Sequence, residues 1–308
     1  MKKNFMKIAT LSLISIFLVP SLNAQEESEP TTPVAKVSNW KLESIYSLNV
    51  TQSAFVNWNA GGRNNISGLA FISGFAEYSK DRIKWSNYLT TGLGGVQYFD
   101  SGLEKTEDVI DLQSSFAYGL KDPWYISFLG GFKTQYLNGY ANVGDTIYAS
   151  RFMAPGYVNL SLGIEYIPND NLKVLLSPVS GKFTIVNDDY LSSIGSFGVD
   201  PGKTFRAEFG SYLRVIYKKE IAKNINLKSR LELFSNYFHN PQNIDVNAEV
   251  ILDFKINKWF SAMLQFNMIY DDDIHIEDRH GNVGPRTQFK QVLGIGIAYR
   301  LANFEEKK

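Results

Sequence analysis

The chain has 308 residues, and its 31 Lys and Arg residues balance 31 Asp and Glu residues, so the formal net charge is zero. This balance argues against nucleic acid as a partner, because no excess of basic side chains is available to hold phosphates. Cysteine is absent, which excludes disulfides and a lipoprotein anchor and leaves packing or backbone pairing to stabilise an exported chain.

The N-terminus has the three parts of a secretory signal peptide, which predicts removal of residues 1–24. Three lysines within the first seven residues precede the apolar core Ile8–Val19, and Ala24 is the small residue before the cleavage point. A membrane anchor is the alternative, but this core is shorter than the roughly 20 residues of a spanning helix. No later segment approaches that length, so any membrane span must consist of strands.

Residues 25–39 are acidic and then rich in Pro and Thr, which predicts a disordered periplasmic leader. From residue 40 onwards, apolar and polar residues alternate with the period of two that is typical of strands. Most of the predicted strands are long enough to cross hydrocarbon, which takes about 9–11 residues. The pattern predicts twelve strands, at 40–52, 66–79, 83–99, 109–120, 124–135, 152–167, 172–185, 204–217, 225–238, 244–255, 259–271 and 287–301.

The last predicted strand shows the alternation clearly. One face carries mostly large apolar residues, including Leu293, Ile295 and Ile297, and the other face is small or charged. This contrast favours a strand with lipid on one side and a polar lumen on the other. The seventh predicted strand is the weakest, because Pro178 cannot donate to a ladder, and we expect a bulge or an early end there.

The predicted connections alternate in length. They are compact after even-numbered strands and mostly long after odd-numbered ones, where they are Ser53–Asn65, Asp100–Asp108, Tyr136–Arg151, Val186–Lys203, the short His239–Asn243, and Asp272–Arg286. Short periplasmic turns, long extracellular loops and an even strand count are typical of outer-membrane barrels. We therefore predict an all-β, transmembrane, antiparallel up-and-down β-barrel over 40–301, with 302–308 as a periplasmic tail. A soluble lipocalin-like barrel, apolar inside and charged outside, is the alternative.

Two sets of side chains follow from this topology. Four tryptophans at the starts of odd-numbered strands would form an interface girdle at the periplasmic rim: Trp40, Trp85, Trp124 and Trp259. Charges of both signs would face the lumen, which favours a salt-bridged interior, narrowly open or closed, over an ion-selective ring. These lumen charges include Lys84, Asp111, Glu165, Arg214, Arg230, Glu232 and Glu249.

Two outer loops could carry a function. The loop containing Trp58, Gly61, Gly62 and Asn64 could be a lid, a plug or a docking element for a partner, although Gly and Asn are also ordinary turn residues. The loop 271–280 contains weak candidates for a divalent-metal site: Asp271, Asp273, His275 and His280. Carboxylates and imidazoles can bind such ions, but the spacing of a calcium loop is not met, and a solvated loop is the alternative.

Catalysis has little support, and we assign no catalytic residue and no cofactor. The Gly-x-Ser-x-Gly and His-Glu-x-x-His motifs are both absent. Ser235 and His239 are four residues apart, about 13 Å along a strand, which is too far for proton transfer. An outer-membrane hydrolase, for instance one using Asp273 and His275, remains an alternative function.

Seven stretches resemble an uncharacterised family of outer-membrane β-barrels of Bacteroidetes-type bacteria, which carries only a domain-of-unknown-function label. They are residues 56–68, Lys84–Gly94, Asp122–Trp124, Ala154–Tyr157, Leu176–Lys182, Tyr270–Ile274 and Gln288–Arg300. The resemblance implies the fold and an outer-membrane location in a Gram-negative bacterium, and it supplies no activity. Family members often end the last strand on an aromatic residue that the barrel-assembly machinery recognises, whereas this chain has Leu301, with Phe304 beyond it.

We therefore expect a narrow passive channel or a structural subunit of an envelope complex, with an outer-surface enzyme or metal binder at 271–280 as the alternative. The expected partners are outer-membrane lipid, lipopolysaccharide and the barrel-assembly machinery, which would contact the C-terminal strand 287–301. Other envelope proteins are possible partners as well.

Overall fold

A computed structural model describes residues 38–54, 63–141, 144–277 and 280–303. The predicted signal peptide, most of the predicted leader and the tail after Asn303 lie outside these residues. The strands are β1 Trp40–Ser53, β2 Asn65–Lys80, β3 Ile83–Tyr98, β4 Gly102–Lys121, β5 Trp124–Thr134, β6 Gly139–Tyr140, β7 Tyr148–Ser150, β8 Gly156–Asn169, β9 Leu172–Ile185, β10 Phe205–Ala222, β11 Ile225–Asn236, β12 Ile244–Lys255, β13 Phe260–Tyr270, β14 His275–Glu277, β15 Val283–Pro285 and β16 Gln288–Ala302.

Twelve of these strands form a closed antiparallel barrel in the order β1-β16-β13-β12-β11-β10-β9-β8-β5-β4-β3-β2. Each strand pairs with the next barrel strand along the chain, and β16 closes the cylinder against β1, where Leu301 lies opposite Ser44. The predicted twelve-stranded up-and-down barrel is thereby confirmed. Alternation of period two gives each hairpin one apolar and one polar face, and closure of the cylinder then leaves no unpaired strand edge.

The two ends of the barrel differ in their connections. At the end where β1 begins and β16 ends, which we call the terminal rim, the connections are the short turns at 81–82, 122–123, 170–171, 223–224 and 256–259. At the opposite end, the loop rim, the hairpins β6–β7 and β14–β15 and the helix α1, Asp189–Ser193, lie in longer connections. No helix within the described ranges has the length and apolar character that a bilayer crossing requires.

The predicted long loop Asp100–Asp108 is wrong. β4 begins at Gly102, and the connection from β3 has only three residues, 99–101. Leu103, Glu104 and Lys105 pair with β3, and a bulge at Thr106, opposite Gly94 and Gly95, absorbs one residue of register. Gly102 makes the tight connection possible because it adopts φ 113°, a value that other residues rarely reach.

The irregularity predicted at Pro178 is a bulge in β9. Its pairing with β8 jumps from Leu162–Val179 to Ile164–Leu176, and the pairing with β10 shifts at the same place. The hydroxyl of Ser177 donates within this bulge, with the carbonyl oxygens of Leu162 and Val179 at 2.7 and 2.9 Å. A side chain thus replaces the hydrogen bond that proline cannot make.

The two faces of the wall have opposite character. Large apolar side chains such as Leu162, Ile295 and Ile297 are exposed on the outside, whereas Glu165 and Arg214 are each only 2% exposed inside. A soluble lipocalin-like barrel would show the reverse arrangement. The exterior is therefore apolar and the lumen is polar, as the sequence predicts.

Candidate functional site

The candidate site is the lumen, where charged side chains from opposite walls meet at several levels. Nearest the terminal rim, the Nζ of Lys173 on β9 lies 2.8 Å from a carboxylate oxygen of Glu77 on β2. The hydroxyl of Ser86 also donates to Glu77, at 2.9 Å. Because β9 and β2 are far apart in the strand order, this pair crosses the lumen.

The next level contains two arginines from adjacent strands. Arg214 on β10 lies 3.6 Å from Glu165 and donates to Gln113 on the far wall at 3.2 Å. Ser127 donates a further hydrogen bond to Glu165, at 2.6 Å. The carboxylate is thus held by a cation and by a neutral donor, which is the condition for keeping it charged away from water.

Arg230 forms the second half of this level. Its guanidinium lies 3.0 Å from Asp111 on β4 and 3.3 Å from Glu249 on the adjacent β12. Asp111 and Arg230 are 119 positions apart in sequence, so only closure of the barrel brings them together. Glu232 nearby accepts from the hydroxyl of Tyr212 at 2.7 Å.

Two further levels lie towards the loop rim. Lys290 on β16 reaches both carboxylate oxygens of Glu107 on β4, each at 3.0 Å. Above it, Lys182 lies 2.6 Å from Asp245 and 2.7 Å from Asp271. Opposite walls are therefore joined by ion pairs along most of the length of the lumen.

One cavity of the lumen is barely large enough for water. A cavity of about 10 Å³ lies beside Lys173, Arg214 and Glu165, which is room for one water molecule at most. The seventh predicted lumen charge, Lys84, lines the same cavity, and its Nζ lies 4.9 Å from the centre of the Tyr125 ring. The structure therefore places all seven predicted charges inside the barrel and joins six of them through polar contacts.

A small folded unit stands over the loop rim, and we call it the loop platform: the described residues 135–141, 144–155 and 186–204. Its core consists of Ala154, Val186, Leu191 and Val199. Asp188 caps helix α1 by accepting from the N–H of Leu191 at 2.9 Å. The platform is tied to the lumen because Arg206 on β10 donates to the carbonyl oxygen of Gly198 at 2.7 Å.

Asp188 is the ionic centre of the loop platform. It also accepts from the hydroxyl of Tyr148 at 2.7 Å and from Arg151 at 3.0 Å. Burial opposes ionisation of this carboxyl, but the hydrogen bonds from Leu191, Tyr148 and Arg151 outweigh burial and lower its pKa below the usual value. Asp188 is therefore a fixed negative charge that orders the platform.

The weak metal candidates do not converge. Asp271 is paired with Lys182 and Asp273 with Arg206, so both carboxylates are already neutralised by cations. His275 begins the hairpin strand β14, and His280 lies in the turn that follows it. Among the residues that the structure describes, no group of three or more His, Cys, Asp or Glu could hold a metal ion.

Most of the candidate residues in the other loop lie outside the described part of the structure. Trp58, Gly61 and Gly62 lie outside the described residues, and the carbonyl oxygen of Asn64 accepts from the N–H of Phe99 at 3.2 Å. Ser235 does not approach His239 as a nucleophile, because its hydroxyl donates to the carbonyl oxygen of Pro241 at 2.7 Å.

The four girdle tryptophans all lie at the terminal rim. Trp40 contacts the rings of Tyr78 and Trp85, at centroid distances of 5.3 and 5.8 Å. Trp124 contacts Tyr166 at 4.8 Å, and Trp259 precedes β13 and is exposed. The terminal rim therefore carries aromatic side chains on its outer surface.

Sequence reasoning missed a second aromatic cluster near the loop rim. Phe183, Phe205 and Phe209 pack together on the outside of β9 and β10, with centroid distances of 6.0 and 5.9 Å. The sequence contains a pattern that could have predicted this cluster, because phenylalanines recur near the strand ends opposite the tryptophans. It was weak because phenylalanine is also a common residue elsewhere on the apolar face.

Two models of protein families match parts of the chain. One, described as a protein of unknown function (DUF3078), matches residues 50–140, which include β2–β5. The other, described as a protein of unknown function (DUF481), matches residues 196–280, which include β10–β13. No curated protein matches the chain.

Solved structures with a similar fold are outer-membrane barrels. An outer-membrane channel from Pseudomonas putida F1 is 14% identical, with 89% of this chain and 100% of that chain covered and a TM-score of 0.39. The NanC porin is 8% identical, covering 83% and 98%, with a TM-score of 0.37. The translocator domain of the autotransporter NalP from Neisseria meningitidis is 10% identical, covering 85% and 88%, with a TM-score of 0.35.

These likenesses are too distant to carry an argument about function. The family matches are more specific to the sequence, but their descriptions name no activity. The chain is thus similar, over two separate parts of one closed barrel, to uncharacterised families of proteins of unknown function.

Proposed function

We propose that this protein is an outer-membrane β-barrel whose lumen is closed, and that it serves as a structural subunit of the envelope rather than as an open passive channel. The observation that carries the proposal is the series of ion pairs that join opposite walls, above all Arg230 with Asp111 and Lys173 with Glu77. A passive channel needs a continuous aqueous path, and these side chains occupy the route that such a path would take.

The outer surface supports insertion into a bilayer. On β10, the exposed Phe205 near the loop rim and the outward-facing Tyr217 near the terminal rim mark the two ends of an apolar band. The two residues are twelve positions apart, about 40 Å along the strand. At a strand tilt of about 40°, this corresponds to about 30 Å along the barrel axis. That height is close to the apolar band of about 25 Å found in outer-membrane barrels.

The connections support an orientation. Short turns and both termini belong in the periplasm, and the longer loops belong outside, so the loop platform would face the cell exterior. The predicted signal peptide 1–24 would direct export, and the barrel-assembly machinery would recognise β16 within the predicted contact region 287–301. Lipopolysaccharide would then surround the loop rim.

Burial explains why the ion pairs hold the lumen closed. Asp111, which pairs with Arg230 across the lumen, is only 8% exposed, and separating buried partners leaves charges without compensation, at a cost of about 3–5 kcal/mol. Opening a path therefore requires several such separations at once. The closed state is favoured unless a partner protein supplies that energy.

Conductance in planar bilayers tests the proposal. We expect reproducibly inserted wild-type protein to be silent, and the double variant Arg214→Ser with Arg230→Ser to leak ions, because it removes both arginines of the central level. Lys80→Ser, which removes a charge at the exposed end of β2, outside the lumen, should stay silent. Steady conductance of the wild type would overturn the closed lumen, and recovery of the native protein in the soluble periplasmic fraction would overturn the membrane location.

A further inference from the structure

The outer wall contains a groove of about 860 Å³ on β1–β5, β8 and the end of β16, which we call the wall groove. Its sides are apolar, formed by Leu42, Leu89, Leu112 and Phe132 with Leu160 at one end. These residues belong to the outward-facing set of their strands, since Leu42, Leu112 and Leu160 are exposed on the outside. The groove therefore opens towards the surroundings of the barrel and not into the lumen.

Small side chains create the wall groove. Ala76, Asn87, Ser114 and Gly130 lie in one row across β2–β5, with Gly74 one outward-facing position away, and together they line the groove. Neither glycine adopts a positive φ, so the backbone conformation does not require glycine at either place. A Cβ at Gly74 would meet its nearest atom at 3.6 Å, and one at Gly130 at 3.8 Å, which are ordinary contacts. The glycines therefore leave open space that larger residues could fill.

The floor of the wall groove carries a directed chain of hydrogen bonds. The indole Nε1 of Trp85 can only donate, and it donates to the hydroxyl oxygen of Ser114 at 2.9 Å. The Ser114 hydroxyl in turn donates to Oδ1 of Asn87 at 2.8 Å. This direction determines the orientation of the Asn87 amide, whose NH₂ group must point away from Ser114.

Within the described part of the chain, the Asn87 amide can donate one more hydrogen bond than it makes. An amide nitrogen carries two hydrogens, and within the described part of the chain Nδ2 makes one long hydrogen bond, 3.5 Å to the carbonyl oxygen of Ala76. An unused N–H on a lipid-facing wall is costly unless an acceptor comes from outside. A ligand that fits the groove therefore presents an acceptor oxygen, such as a carbonyl, next to an apolar chain.

The depth of the wall groove identifies the source of that oxygen. Asn87 and Ser114 lie one outward-facing pair away from Trp85 and Phe116, about 7 Å along the strand from the aromatic row. Aromatic rings of this kind sit at the level of the lipid headgroups, and the ester carbonyls of glycerophospholipids lie just below that level.

We propose that the wall groove binds a glycerophospholipid, with one acyl chain between the apolar sides and an ester carbonyl oxygen accepting from the amide of Asn87. The proposal rests on the proposed membrane location but not on the closed lumen. Its occupant is a lipid of the leaflet at the terminal rim, bound in a defined place rather than as part of the general lipid boundary.

Native mass spectrometry of the full-length protein tests this site. Delipidated protein in mild detergent is titrated with a diester phosphatidylethanolamine and with its diether analogue, which lacks the carbonyl oxygens. We expect one lipid per barrel and about fivefold weaker retention of the diether lipid, the factor that one hydrogen bond of ordinary net strength provides. Asn87→Leu should remove this preference, and Gly130→Leu should abolish retention of both lipids by filling the groove.

The matched control is Ser229→Leu, which makes a polar-to-apolar change on the outward face of the far wall, on β11, and should behave as wild type. Equal retention of both lipids by the wild type, or unchanged retention in Gly130→Leu, would overturn the lipid site. A second copy of the chain retained in place of lipid would overturn it as well. A protein that inserts and is silent but fails these tests refutes only the lipid site, whereas a protein that is not membrane-bound refutes the proposed function.

Discussion

Adjacent residues of β8 lie in two different environments. Ile164 is 40% exposed on the outer face, and Glu165 is 2% exposed in the lumen, where Arg214 and Ser127 hold its carboxylate. The outer face tolerates apolar residues without a specific partner, because lipid in the proposed membrane location would solvate any of them. The inner face tolerates charge only where a particular partner is supplied from another strand. The lumen therefore depends on particular pairs of charged and polar side chains, whereas the exterior depends only on its residues being apolar.

The largest expected effect comes from removing one partner of a lumen pair. Arg214→Met should lower the free energy of unfolding by about 3–5 kcal/mol, because Glu165 is left charged and buried. Urea unfolding in liposomes measures the change.

The double variant Arg214→Met with Glu165→Gln should recover most of this loss, since neither charge is then left alone. Lys41→Ala is the exposed control: its ion pair with Asp170 spans 3.6 Å with side chains 45% and 83% exposed, and such pairs contribute about 0–1 kcal/mol. Equal losses in Arg214→Met and Lys41→Ala would contradict a lumen specified by its pairs.

A somewhat smaller effect is expected from placing a charge on the outer face. Leu162→Arg should cost about 2–4 kcal/mol, because Leu162 lies in the middle of the apolar band, whereas Leu120→Arg, beside the turn of the terminal rim, should cost about 0–1 kcal/mol. Both leucines are exposed on the outside, so burial in the protein does not distinguish them. The same urea unfolding in liposomes gives both values. Equal costs would show that the outer face does not contact a bilayer of the expected depth.

The smallest effect is expected in the loop platform and depends on pH. Asp188 has a lowered pKa in the folded protein, so its contribution to stability is fully present above the unfolded pKa of about 3.9 and is lost as pH falls through the folded value. We expect protease cleavage within 186–204 of the wild type to accelerate only below about pH 4.

At neutral pH, Asp188→Asn should be cleaved about tenfold faster than the wild type, the factor that one hydrogen bond to a charged group provides. Asp189→Asn, at the exposed neighbouring position, is the control and should resemble the wild type. If Asp188→Asn is cleaved no faster at pH 7, the platform does not depend on this charge.

Much of this architecture follows from local pattern. The alternation of apolar and polar residues predicts β9 and β12 with the ends that the structure shows, 172–185 and 244–255. The same alternation predicts which side of each strand faces out. The wrong prediction at Asp100–Asp108 has a physical reason: its charged residues resemble a solvated loop, yet Glu104, Lys105 and Glu107 themselves pair with β3.

The loop platform could not be predicted from such patterns. Its core joins Ala154 to Val186, Leu191 and Val199, residues of two separate connections without strand or helix periodicity of their own. Their association depends on the barrel strands that hold the two connections side by side.

The sequence by itself determined the number of barrel strands and which face of each strand is polar, because a period of two carries that information within each strand. Only the tertiary structure decided that Arg230 meets Asp111, that Lys173 meets Glu77, and that small residues of neighbouring strands line up into a groove. Those contacts depend on register and closure across the whole cylinder, which no single stretch of the chain encodes.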